Sequence, residues 1–195
     1  LDNFTHDPSR ICALILAGGA GRRVAGRDKG LLQWHGLPLV AHVHDTLAPQ
    51  VSEIIISCNR NRERYARIAP LAPPDLRTGY QGPLAGLEAA APMLQRDFIL
   101  LAPCDTPALP PELAARLACA LQQKPGAQAA FVRAGNRNHY LCALLRRASL
   151  AGLGAYLDRG QRAVRHWYTR LDAVPVDFPA QQEAFANFND LGDFA

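Results

Sequence analysis

The run ICALILAGGAGRRVAGRDKG, residues 11–30, decides how this chain is read. Its first six residues are continuously apolar, which suits a strand buried on both faces, and Gly18 and Gly19 stop that run. A segment of glycines and cations follows, with Gly21 and Gly26 set among Arg22, Arg23, Arg27 and Lys29. Glycines let successive backbone N–H groups turn inward, and the basic side chains add positive charge, so the loop is suited to cradle phosphate. Two familiar phosphate loops do not fit. A Walker loop needs lysine directly after its last glycine, where Arg27 follows Gly26, and the Rossmann spacing needs glycine where Val24 stands.

Outward from this loop, apolar strands alternate with helical stretches. Strands are expected at residues 53–58, 97–102, 127–133 and 139–145, with short late ones at 172–178 and 185–188. Helices are expected at 38–47, at 110–123, where Leu113, Leu117 and Leu121 fall on one face, and at 161–171. Strands separated by helices imply an α/β, Rossmann-like domain with a mostly parallel central sheet and helices on both faces. Ligands of such sheets lie at the carboxyl ends of the strands, so the loops after Leu16, Cys58 and Ala102 should share one rim. The proline-rich piece APLAPP, residues 69–74, reads as a surface connection. The expected organisation is an N-terminal extension over residues 1–10 and one domain over 11–195.

The chain has 195 residues, of which 49% are hydrophobic, which excludes wholesale disorder. No apolar run approaches a membrane span, and LDNFTHDPSR has no basic start followed by an apolar block, so a cytoplasmic protein without membrane partners is expected. A net charge of +4 is too small to argue for nucleic acid. Only two of the 21 basic residues are lysines, Lys29 and Lys124. Where composition has favoured arginine so strongly, a surviving lysine is a candidate for a position that requires one. Five cysteines, an odd number and none in a C-x-x-C pair, point to a reducing compartment and give no zinc motif. Cys12 and Cys142 lie in apolar runs and read as core, and a nucleophilic Cys104 stays open.

Three further motifs carry chemistry. In PCDTP, residues 103–107, Asp105 stands at a strand's carboxyl end, where a carboxylate can hold Mg²⁺ against a phosphate; by itself it fits a turn cap before Pro107 equally well. GPLAG, residues 82–86, is a helix start that allows close approach of Gly82 to a ligand, and Asp75 precedes it in a loop. In NFND, residues 187–190, Asn187 and Asn189 alternate with Phe188 and either reach a ligand or end a strand. The group Arg60, Arg62, Arg64 and Arg67 reads as a solvated helix face.

On these residues the chain resembles the molybdenum cofactor guanylyltransferases of the nucleotidyltransferase superfamily. Their loop reads roughly LAGGxxxRMGGxDKG, against LAGGAGRRVAGRDKG at residues 16–30, and GPLAG, CDTP and N-x-N follow in order. The resemblance implies a Rossmann-like fold, Mg²⁺ as cofactor, and transfer of GMP from GTP to the phosphate of molybdopterin. It further implies transient contact with cofactor-synthesis proteins or with molybdoenzymes and their chaperones. Carried over by position, Leu16, Ala17 and Gly18 would contact GTP, Lys29 its phosphates, Ser57 and Asp75 the nucleotide, and Asp105 both GTP and the metal. The reading of the loop and of the helix start adds Gly19, Gly21 and Arg23 to the phosphate cradle and Gly82 to the backbone beside the ligand. Ser57 stands where relatives can carry Asn, Val24-Ala25 where they carry Met-Gly, and Tyr140 where they often carry Pro. A cytidylyltransferase acting on the same pterin is the nearest alternative; its loop usually reads LAAG, so Gly18-Gly19 favours guanine. A non-catalytic nucleotide-binding or cofactor-handover protein would not require both Lys29 and Asp105.

Overall fold

The computed structural model describes residues 7–18, 27–79 and 81–188. The first run forms strand β1 (Ile11–Leu16), the central strand of the first half. A short hairpin follows, β2 (Gln33–Trp34) and β3 (Leu37–Pro38), then α1 (Leu39–Leu47), β4 (Glu53–Ser57) and one turn of helix, α2 (Arg62–Tyr65). Next come α3 (Pro83–Ala90), β5 (Phe98–Pro103), α4 (Leu113–Gln123), β6 (Ala129–Ala134) and β7 (Arg137–Arg146). The chain closes with α5 (Leu153–Asp158), α6 (Val164–Arg170) and β8 (Val174–Asp177).

The six-stranded sheet runs β4-β1-β5-β7-β6-β8. β1 pairs in parallel with β4 and with β5, and β6 with β8, whereas β7 is antiparallel to both its neighbours. Two residues, Gly135-Asn136, join β6 to β7, and so short a connection can only reverse the chain; a parallel neighbour would need a crossover of a dozen residues or more.

Alternate residues of β1 enter different cores, as the two-residue period of a strand requires. Ile11, Ala13 and Ile15 pack with Val40, Val43 and Leu47 of α1 and with Leu113, Leu117 and Leu121 of α4. Cys12 and Leu14 pack on the opposite face with Leu84 and Leu87 of α3, Tyr156 of α5 and Trp167 of α6. Both faces are therefore covered, as the uninterrupted apolar run implies. The buried Gln50 ties α1 to α4 within one layer: its Nε2 donates to the Thr46 and Pro110 carbonyls, and its Oε1 accepts from the Ala114 N–H, one of the donors that the start of α4 leaves unpaired.

Several boundaries differ from expectation. Pro38 precedes α1 rather than opening it, because it pairs with Gln33 in the hairpin. Helices α4 and α6 begin three residues late, at Leu113 and Val164. The expected strand at 185–188 is absent: Glu183–Phe185 is a 3₁₀ turn, Phe185 packs on Phe178 at 5.1 Å, and Phe188 packs on Trp34 at 5.1 Å. No sheet edge meets that segment; one backbone bond, from the Phe188 N–H to the Asp105 carbonyl (2.9 Å), ties it to β5's exit. The proline-rich piece is not a mere surface link. Ala69 and Ala72 are buried, and residues 70–72 exchange backbone hydrogen bonds with Ile56, covering the open edge of β4.

Helix α3 lies so close to β4 that a Cβ on Gly86 would stand 2.5 Å from the Ser57 Oγ. An ordinary helical Gly→Ala change gains about 0.5–1 kcal/mol. Here the clash decides the sign: Gly86→Ala should lose about 1–3 kcal/mol, as overpacked core positions do. Adding Ser57→Ala removes the obstructing oxygen and should recover most of that loss. Urea melts of the three variants measure both values.

Candidate functional site

The register of β1 builds the site. Leu16 pairs with Ser57 on one side and with Pro103 on the other. The ladders run past the strand ends, with the Ala17 N–H donating to the Ser57 carbonyl (2.8 Å) and the Cys104 N–H to the Leu16 carbonyl (3.1 Å). Three loops therefore leave the sheet at one level, on the rim expected from the sequence, and a pocket opens between them.

Leu16, Ala17, Gly18, Lys29, Ser57, Asp75, Gly82, Asp105 and Asn187 all line that pocket. Gly19, Gly21, Arg23 and Asn189 lie outside the described residues. On its floor the Lys29 Nζ donates to the Asp105 Oδ2 at 2.5 Å, with the two side chains 22% and 16% exposed. The other Asp105 oxygen, Oδ1, is buried and has no hydrogen-bond partner among the described residues. A buried, hard, anionic oxygen without a donor suits a cation such as Mg²⁺. Among the described residues no three His, Cys, Asp or Glu side chains converge. A metal held by Asp105 would complete its shell with phosphate oxygens and water, as Mg²⁺ commonly does.

Several residues that the sequence did not single out complete the site. Asn59, beyond β4, donates its Nδ2 to the Asp75 Oδ2 (2.8 Å) and accepts from the Asp75 N–H (3.0 Å), so it sets both ends of Asp75. Its place just past the rim strand was the available signal. Arg77 grips Glu88 of α3 with two bonds of 2.7 Å and reaches Asp158 of α5 at 2.8 Å, anchoring the loop that carries Asp75. Asn187, which the sequence did single out, has its Oδ1 accepting from the Thr106 hydroxyl at 3.1 Å. Leu141 of β7 adds an apolar wall. The arginine group is not wholly a solvated face, because Arg62 donates to the Cys58 and Ala72 carbonyls, both at 2.8 Å.

Cys104 adjoins this pocket but is not equipped as a nucleophile. Burial pushes its thiol far above the ordinary range, and the Asp105 and Asp28 charges push it further than Lys29 can offset. Burial likewise raises Cys12 and Cys58 to about 11.

The MobA-like NTP transferase domain matches residues 13–174. The curated molybdenum cofactor guanylyltransferase of Shewanella loihica is 39% identical over 180 residues, 92% of this chain and 91% of that protein. The protein of the same name from Ectopseudomonas mendocina is 38% identical over 185 residues, 95% of this chain and 90% of that one. Among solved structures, molybdopterin-guanine dinucleotide biosynthesis protein A from Archaeoglobus fulgidus superposes with a TM-score of 0.73 over 94% of each chain, at 23% identity. That likeness concerns the fold, and it meets the expectation of one mostly parallel α/β domain.

The cysteine environments give a direct check. Cys12, Cys58, Cys104 and Cys142 are buried and Cys119 is exposed. Iodoacetamide at neutral pH should label the native protein once, at Cys119, and mass spectrometry of the digest should find the other four unmodified until urea is added.

Proposed function

This chain belongs to the MobA-like NTP transferase family, and we propose that it transfers GMP from GTP to the terminal phosphate of molybdopterin, releasing pyrophosphate. The curated relatives that bear the name molybdenum cofactor guanylyltransferase align with nearly the whole chain and support the choice of reaction. The observation that carries the proposal is the meeting of Lys29 and Asp105 in the rim pocket, 76 residues apart in sequence, with one Asp105 oxygen unpaired among the described residues.

The acceptor phosphate is already anionic at neutral pH, so its oxygen attacks the α-phosphorus of GTP without a general base. The α–β phosphoanhydride bond breaks and the electron pair leaves with pyrophosphate. The residues must bring two polyanions together and stabilise the charge that develops on the leaving group. In this reading the backbone of Leu16, Ala17 and Gly18, continued by Gly19 and Gly21, cradles the triphosphate. Ser57, Asp75 and Gly82 hold the nucleoside side, and Asn187, with Asn189 beyond it, contacts bound ligand. Lys29 and Arg23 neutralise the phosphates. Lys29 and Asp105 hold each other in the free enzyme, and each turns to a bound partner when substrate enters. Bound on Asp105, Mg²⁺ would withdraw charge from the phosphates. The transferase unit takes in residues 11–195, with 1–10 as an extension. Its product passes through transient contacts with cofactor-synthesis proteins, molybdoenzymes or their chaperones. Among the described residues no helix is long and apolar enough to cross a membrane.

Pyrophosphate release with molybdopterin and either GTP or CTP tests the reading. GTP should be favoured by more than ~10²-fold, because a site built on base hydrogen bonds leaves them unpaired with the wrong base. A preference for CTP would make the chain a cytidylyltransferase, and no turnover with either would remove the assigned reaction. In the same assay Asp105→Asn should lower turnover by at least ~10²-fold, as loss of a key electrostatic element does, with the melting curve close to that of the parent.

A further inference from the structure

Lys29 opens a 3₁₀ turn, Lys29–Leu31, whose preceding residue is Asp28. Asp28 is the residue type that caps such turns, yet its side chain makes no cap hydrogen bond. Both its oxygens are turned instead toward α2. The Tyr65 hydroxyl donates to the Asp28 Oδ1 at 2.5 Å, and the Asn61 Nδ2 donates to the Oδ2 at 2.9 Å. Tyr65 is fully buried, and burial pushes its phenol so far above the ordinary value that it stays a donor. Asn61 is held in the left-handed region (φ 48°, ψ 34°), a conformation Asn tolerates better than most residues.

The other flank of Lys29 is fixed by the same hydroxyl. A Cβ on Gly30 would stand 2.6 Å from the Tyr65 oxygen and 3.1 Å from the Cys104 Sγ, so only glycine admits this approach. Tyr65 thus touches the residues on both sides of Lys29. Its own helix is pinned to the rim by the Arg62 bonds to the Cys58 and Ala72 carbonyls. A four-residue helix contributes little by its own propensity. What it does here is carry two donors to one carboxylate beside the only lysine of the pocket.

We propose that Tyr65, assisted by Asn61, is a positioning residue: by holding Asp28 and closing against Gly30, it fixes the backbone from which Lys29 reaches the phosphates. The inference rests on the role given to Lys29 under the proposed function. Lysine has four rotatable bonds between backbone and charge, so precision at the ammonium has to begin with a fixed Cα.

The test is Tyr65→Phe, which removes one oxygen. Because the chain contains only two lysines, Lys29 and the exposed Lys124, Lys124 serves as an internal reference. Acetylation by acetic anhydride, read by mass spectrometry without any substrate, should show the Lys29-to-Lys124 labelling ratio rise at least ~3-fold in the variant. Single-turnover transfer, with whichever triphosphate the parent prefers, should slow ~10-fold at saturating nucleotide, while the nucleotide Kd changes less than ~2-fold, because misplacement acts on the transition state. Val43→Ala, a core truncation under α1, controls for lost stability and should keep the parental ratio and rate. In a Lys29→Met background, Tyr65→Phe should add no further loss of rate. An unchanged labelling ratio overturns the proposal, and so does a full additional loss in the Lys29→Met background. A raised ratio with an unchanged rate keeps Tyr65 as the residue that places Lys29 and removes Lys29 from the transfer step instead.

Discussion

The parallel pairing of β1 with both β4 and β5 is the constraint from which the rest follows. It sets Leu16 level with Ser57 on one side and with Pro103 on the other. A slip of one residue in either ladder would turn every side chain of a strand to the opposite face. The two cores would then exchange their contents, because Ile11, Ala13 and Ile15 belong to one and Cys12 and Leu14 to the other. Register is therefore enforced by burial on both faces. The catalytic rim inherits that enforcement: Gly18, Asn59 and Asp105 stand near one another because core packing permits no other alignment.

Within that frame the Lys29–Asp105 pair is held in reserve. Opposite charges about one-fifth exposed attract more strongly than a pair at the open surface, and each has lost part of its hydration. A polyanion with its own cation can replace both partners at once and leave neither charge alone. An isolated lysine or an isolated carboxylate at this depth would cost several kcal/mol in lost hydration before substrate arrived. The Asp105 Oδ1, unpaired among the described residues, fits the same logic, since a carboxylate fully satisfied by protein donors would have nothing left for a ligand.

Much of this was legible in the sequence. β1, β4 and β5 announced themselves as uninterrupted apolar runs, and the rule that ligands sit at carboxyl ends brought their exits together. Lys29 stood out through composition, and Asp105 through its place after a strand. What could not be read depends on contacts across the chain. Asp28 did not stand out in the sequence because its partners, Asn61 and Tyr65, lie more than thirty residues away. Asp75 carried little weight without Asn59. Phe185 and Phe188 suggested a short strand, although residues three apart would point to opposite faces of one. Here Phe185 and Phe188 are apolar for separate reasons, one packing on Phe178 and the other on Trp34. Direction, too, was hidden: a two-residue connection reversed β7 within a sheet expected to be mostly parallel.

The segment after β4 deserves its place in the mechanism on geometric grounds. Within seven residues it supplies Asn59 to Asp75, Asn61 and Tyr65 to Asp28, and Arg62 to the carbonyls of Cys58 and Ala72. Under the proposed function Asp75 serves the nucleoside and Lys29 the phosphates, and both are referred to the same short stretch of backbone. That stretch starts from β4, an edge strand whose outer side is covered, among the described residues, by residues 70–72. An edge strand is the easiest to displace, so tying it down with Arg62 and with the Ile56 bonds serves both halves together. Under the proposed function the groups for the base and those for the phosphates are thereby spaced by one shared corner, so that a nucleotide meets both with a turn of the Lys29 and Asp105 side chains.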